Sequence, residues 1–288
     1  MSEAPHPALP AFETLAARVD GAVLHLTLNR PEARNAMSLS MVTELRQTLA
    51  WAEASQAIRV VVLRGAGGHF CAGGDIKDMA AARARPAAAG EDAIASLSAQ
   101  FGELCAAFAH SPLAVVAVLE GTVMGGGFGL ACVADIAIAG ENVAFRLPEV
   151  TLGLVPAQIA PYLALRIGAS QARRLAISGA RVGAAQALAI GLVHGVHAEA
   201  ALDAALTCGV GVYVWSRSPP LAAVIMSAMV ISMIAAGLAG ALVPILLSRF
   251  GQDPATASSI ILTTVTDVVG FFSFLGIATL FAPLLSAT

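Results

Sequence analysis

The chain of 288 residues is short of charge, since only 12% of its residues are Asp, Glu, Lys or Arg, against about 25% in an average soluble domain. Its 16 basic and 19 acidic side chains nearly cancel, so no long-range field draws it toward nucleic acid. Beyond Asp203 charge almost vanishes, leaving Arg217, Arg249, Asp253 and Asp267. The character of the chain changes near residue 205. Cysteine is scarce as well: Cys71, Cys105, Cys132 and Cys208 show no C-x-x-C spacing and no histidines at zinc-finger intervals. Neither a disulfide framework nor a zinc module is indicated, and reduced core thiols are expected. The N-terminus carries acids and prolines where a secretory signal has a basic stretch and an apolar run. The first part of the chain is therefore expected in the cytosol. There is no internal repeat, no G-x-G-x-x-G and no phosphate loop ending in Gly-Lys-Ser/Thr, so dinucleotide and nucleoside-triphosphate sites are set aside.

Apolar residues are abundant instead, at 57%, above the roughly 45–50% of soluble domains. Residues 23–28 alternate and end in Asn29-Arg30-Pro31, which predicts a strand closed by a turn. Apolar residues recur at helical spacing over 40–53, with Ser38 or Ser40 as the cap. Residues 59–64 and 113–119 form continuous apolar runs of the kind found in buried strands. Further expected elements are a mobile, faceless segment over 80–90, a helix over 92–109, a loop over 120–127, a helix over 128–134 and a strand over 135–139. Strand, loop and helix repeat in that order, which predicts an α/β fold of stacked β-α units around a mainly parallel sheet.

Three loops are able to carry chemistry. The first is His69-Phe70-Cys71-Ala72-Gly73-Gly74-Asp75, whose small residues let the backbone approach a ligand. The second is Met124-Gly125-Gly126-Gly127-Phe128-Gly129, where free N–H groups at a helix start favour negative charge. Each alone is also what an ordinary tight turn looks like. The third, residues 145–150 followed by Gly153-Leu154-Val155-Pro156, contains Glu149. A lone Glu before a helix is ordinarily solvated or compensates the helix dipole.

Taken in order, LNRPEARNAM, FCAGGDI, GTVMGGGFGLACVADIAIA and FRLPEVTLGLVP resemble the crotonase superfamily, the enoyl-CoA hydratase/isomerase family, from about residue 14 to 204. The resemblance implies that Ala72 and Gly126 donate backbone N–H groups to the thioester oxygen and that Glu149 transfers the proton. It places coenzyme A, as part of the acyl-CoA substrate, near Arg30, Ala33, Ala72, Asp75, Gly125 and Gly129, with Arg30 a phosphate partner or a surface charge. No separate cofactor is implied for this module. Family hydratases often carry a second glutamate where this chain has Gly129, so one carboxylate must serve as both acid and base or share the work with water, and one-glutamate members of the family include isomerases as an alternative to hydration. The stretch through LPEVTLGLVPAQIAPYLALRIG looks most like the branch that hydrates branched glutaconyl-CoA thioesters. His69, His110, His194 and His197 fall outside the matched catalytic positions and are expected to be structural.

After residue 204 the amphipathic helices expected of that family, which cover the acyl pocket and build a trimer, are missing. Residues 221–247 and 260–285 are instead long apolar runs of membrane-spanning length. They resemble the last membrane helices of MgtE-type magnesium transporters, over about 209–285. That resemblance implies a dimer, an all-α transmembrane segment and a magnesium-lining Asp267. The expected organisation is a flexible 1–13, an enzyme module over 14–204 and a membrane fragment over 205–288. The module and the C-terminus would both lie in the cytosol around a two-crossing hairpin. Magnesium transport, or an inactive join of two genes, stands as the alternative to an acyl-CoA lyase or isomerase.

Overall fold

The computed structural model describes residues 9–55, 57–84, 92–198 and 200–204, with scattered positions from 206 to 272. The chain divides into two compact units, residues 1–199 and 200–288. Strands β1 (Leu15–Asp20) and β2 (Val23–Leu28) form an antiparallel hairpin, with Leu15 opposite Leu28. Helix α1 (Leu39–Ala54) starts at Ser38, whose side chain accepts from the Met41 N–H at 3.2 Å. Such a cap satisfies one of the N–H groups that the first helical turn leaves open. Helix α1 buries Met41, Val42, Leu45, Leu49 and Ala52 on one face.

Strand β3 (Val60–Gly65) lies parallel to β2 and is buried along nearly its whole length, as its run of three valines requires. Helices α2 (Ile76–Ala84) and α3 (Ala93–Ala109) follow, the latter capped by Asp92, which accepts from the N–H groups of Ile94 and Ala95. Then come β4 (Ala114–Leu119), β5 (Thr122–Met124), α4 (Gly126–Val133), β6 (Ile136–Gly140) and β7 (Ala144–Arg146). The unit closes with α5 (Ala160–Ser178), β8 (Val182–Gly183), α6 (Ala184–Ala189) and β9 (Gly195–His197). Six strands form one sheet in the order β1-β2-β3-β4-β6-β9, parallel after the first pair. A second sheet has the order β5-β7-β8. The core lies between the large sheet and its helices and includes Leu24, Leu26, Leu63, Phe70, Phe128 and Phe145.

Two sequence expectations are corrected. Residues 80–84 belong to α2 and are not a mobile segment, while 85–91 lie outside the described residues. The stretch 120–127 is not all loop, because β5 pairs with β7 inside it and α4 already begins at Gly126. The expected spans 221–247 and 260–285 lie outside the described residues except at isolated positions, and Asp267 lies outside them altogether. Among the described residues no helix is long and apolar enough to cross a membrane.

Candidate active site

The small sheet brings two of the predicted loops together. Strands β5 and β7 run parallel with Met124 opposite Arg146, so the chain leaves the sheet at adjacent points toward Gly126 and toward Glu149. The Gly125 N–H donates to the Arg146 carbonyl at 3.2 Å, and Arg146 Nε donates to the Gly179 carbonyl at 3.0 Å, which fixes β7 to the end of α5. Gly125 adopts φ +47°, a left-handed conformation that a side chain would strain. It turns the chain into α4, whose first N–H, that of Gly126, has no acceptor among the described residues. The positive end of the helix dipole lies there.

The first loop is stitched to the segment after β2. The Met37 N–H donates to the Gly73 carbonyl at 2.7 Å, and the Asp75 N–H donates to the Met37 carbonyl at 3.0 Å. Because an extended backbone alternates its polar groups, the N–H of Gly74 faces away from Met37, and it has no partner among the described residues. Gly74 N is 4.0 Å from the point where Gly125 would carry a Cβ. Ala72 behaves differently from the expectation, since its N–H donates to the Arg34 carbonyl at 3.0 Å. A donor already satisfied is not open to a ligand. The open donor of this loop is that of Gly74.

Glu149 begins a short 3-10 turn, Glu149–Leu152, after Pro148. Its Oε1 lies 3.1 Å from the Cβ position of Gly125, and its Oε2 is buried with no hydrogen-bond partner among the described residues. Burial pushes its pKa above the usual carboxylate value, opposed by a hydrogen bond from its own backbone N–H. All three groups line a cavity of about 480 Å³. Its walls are mainly apolar, with Val42, Leu97, Phe101, Leu154 and Ile159 among them. Asp75 and Asp78 also line it, but both are engaged. Asp75 meets Arg30 Nη1 at 2.7 Å and accepts from the Lys77 N–H, while Asp78 accepts from the Leu39 N–H at 2.8 Å. Burial raises the Asp75 pKa, but the Arg30 guanidinium and the N–H groups of Lys77 and Asp78 together outweigh it and hold the carboxyl below its usual value.

The other expected ligand contacts divide. Ala33, Ala72, Asp75 and Gly125 line the cavity, whereas Arg30 and Gly129 do not. Arg30 Nη1 is committed to Asp75 and to the Ala36 carbonyl, so this nitrogen braces the loop. The space a side chain at Gly129 would need is filled: Phe101 Cζ lies 2.8 Å and Ile159 Cγ1 3.2 Å from its Cβ position. Sequence reasoning did not single out Gly74 or Phe101. The free N–H of Gly74 depends on a carbonyl some forty positions earlier, but the missing side chain at Gly129 did signal that something else must fill that wall.

The expected structural histidines lie outside the cavity lining. His69 Nδ1 accepts from the Thr122 N–H and His194 Nδ1 from that of Ala137. Cys71, Cys105 and Cys132 are free and buried, and burial raises their pKa to about 11, about 12 and about 12. They are inert thiols. Cys208 lies outside the described residues. Among the described residues no group of three or more His, Cys, Asp or Glu is placed to hold a metal ion.

The sequence model of the enoyl-CoA hydratase/isomerase family matches residues 18–233. The chain belongs to that family. The match continues past the compositional boundary near residue 204. Among curated relatives, 2,3-dehydroadipyl-CoA hydratase of Escherichia coli K12 is 35% identical over 175 residues, 60% of this chain. The chain spans 65% of that relative's length, less than two thirds. Among solved structures, an enoyl-CoA hydratase/isomerase from Marinobacter aquaeolei is 46% identical with a TM-score of 0.69, covering 75% of this chain and 82% of that one. Pseudomonas aeruginosa AtuE is 45% identical with a TM-score of 0.67, covering 85% and 93%.

Proposed function

We propose that the chain acts on the double bond of an enoyl-CoA thioester, as a hydratase or isomerase, by way of the thioester enolate. Both reactions place negative charge on the thioester oxygen. Two preorganised N–H donors stabilise that charge where it develops, and each such donor is typically worth ~10²–10³ in rate. Gly74 and Gly126 are the donors, and Glu149 moves the proton at the carbon next to the carbonyl. The observation that carries the reading is the buried, unpartnered Oε2 of Glu149 in the same cavity as the two open N–H groups. A carboxylate desolvated in this way is a stronger base than one in water. No metal or separate cofactor enters the mechanism.

Within this class the sequence likeness to glutaconyl-CoA hydratases favours a branched acyl group, and the apolar walls suit its hydrocarbon part. The charged side chains of the lining are Asp75, Asp78 and Glu149, so a second substrate carboxylate would sit at the mouth of the cavity. A CoA thioester substrate also favours a cytosolic position for the module. Magnesium transport through Asp267 rests on sequence likeness alone.

The test is to incubate the purified full chain with a panel of 2-enoyl-CoA and 3-enoyl-CoA thioesters and follow the conjugated thioester absorbance. Turnover of at least one, reduced ~10²-fold or more in Glu149→Gln while thioester binding persists, is expected. Absence of turnover with every member of the panel would overturn the proposal.

A further inference from the structure

Phe101 projects from α3 across the first turn of α4. Its Cε2 and Cζ stand 3.2 and 3.5 Å from the Cβ position of Gly126, and Cζ stands 2.8 Å from that of Gly129. The ring is packed against the core and forms part of the cavity wall. The α4 wall therefore lacks a carboxylate and is also sealed by hydrocarbon. A water held in a protein needs two to four polar partners, and a phenyl ring supplies none. The uncharged polar side chains of the lining, Ser38, Ser98 and Gln158, are not bases at neutral pH.

We propose that Phe101 is a specificity-determining residue that keeps water off the α4 wall and so favours double-bond migration through Glu149 over addition of water to C3 of the 2-enoyl thioester. The inference rests on the enolate chemistry proposed above and deepens it. In double-bond migration, Glu149 takes a proton from C2 of a 3-enoyl thioester and the electron pair moves onto the oxygen held by Gly74 and Gly126. The same carboxyl then returns the proton to C4, giving the 2-enoyl thioester with no atom gained. Hydration instead takes OH from water onto C3 and a proton onto C2. Only the second outcome needs an ordered water in the site, so the residue that excludes it sets the ratio.

The experiment supplies a short 3-enoyl-CoA thioester in ¹⁸O-labelled water to the full chain and measures migrated 2-enoyl product against labelled 3-hydroxyacyl product. Phe101→Ala is expected to raise the labelled fraction relative to migration by about tenfold or more, with Phe101→Leu intermediate. Phe101→Ala combined with Gly129→Glu, which puts a carboxylate in the vacated space, should raise it further. Phe101→Leu keeps most of the apolar volume and guards against a result set by misfolding. A ratio within about twofold of the wild type in both single variants would overturn the role of Phe101 and leave the enolate reading intact. Failure of the wild type to perform either reaction would overturn both.

Discussion

Met124 and Arg146 stand opposite each other in the parallel pairing of β5 and β7. From Met124 the chain passes through Gly125 to the open N–H of Gly126, and from Arg146 it passes through Pro148 to Glu149. A three-stranded sheet thus sets the distance between the group that would hold the enolate oxygen and the group that would move the proton. Gly125, at the point where the two branches come closest, is where the arrangement is most sensitive. Gly125→Ala would force a side chain into φ +47° with Glu149 Oε1 3.1 Å away. We expect a destabilisation of roughly 1–3 kcal/mol from the backbone alone, read by thermal unfolding, with a larger proportional loss in kcat than in thioester affinity. Unchanged kcat in a folded variant would show that the Gly125 turn does not position the site.

Gly74 separates a backbone donor from a side-chain effect. An added methyl there meets only Met79 Sδ at 3.6 Å, an ordinary contact, so Gly74→Ala keeps the N–H and should remain active. Gly74→Pro removes the N–H and should lower kcat by ~10²–10³, with thioester binding largely kept. Steady-state kinetics of the two variants side by side check this, and equal activities would move the donor elsewhere in the loop.

The Arg30–Asp75 pair gives a pH signature in stability. Its side chains are 22% and 9% exposed, and removing one partner strands the other. Arg30→Met is expected to cost on the order of 3 kcal/mol near neutral pH. The pKa of Asp75 is lowered on folding, so its contribution is fully present above the unfolded value of 3.8 and is lost as pH falls through the lower folded value. Denaturant titrations at several pH values should show the wild-type advantage over Arg30→Met shrinking in acid. An advantage that grows in acid would contradict the assignment.

The sign is opposite at Glu149. Burial raises its folded pKa, so it favours the fold only while protonated, and that contribution disappears as pH rises through the raised value. At neutral pH the buried charge therefore opposes folding. Glu149→Gln is expected to be more stable than the wild type at pH 7 while nearly inactive, and the advantage should vanish in acid. Calorimetric melting at pH 7 and in acid tests this. In the wild type the same raised pKa predicts that the acid limb of kcat lies above the ordinary glutamate value of 4.5.

The buried strands β3 and β4, the Ser38 cap and the helix after Asp92 were legible because local pattern and burial coincide there. Strand β1 was not, since LAARVD buries only Leu15 fully and holds its place through pairing with β2. The three residues of β5 form a strand only because β7 lies beside them. At the site, Glu149 and Gly126 were picked out from motifs and line the cavity, but the other donor was expected at Ala72, whose N–H is already engaged. That choice depends on which carbonyl Ala72 reaches, and the Arg34 carbonyl is brought there by tertiary folding. Arg30 was read as a phosphate partner or a surface charge, and its Asp75 partner was not seen because it lies beyond any local spacing rule.

The central claim is that Glu149 moves the proton of a thioester enolate held by Gly74 and Gly126. Its most direct test is deuterium uptake at the carbon next to the carbonyl of a bound acyl-CoA thioester in D₂O, followed by mass spectrometry for the wild type and Glu149→Gln, with thioester affinity measured in parallel. The account predicts exchange catalysed by the wild type, a loss of ~10²–10⁴ in Glu149→Gln, and similar thioester affinity in both. Exchange at wild-type rate in Glu149→Gln, or affinity and exchange lost together, would contradict it.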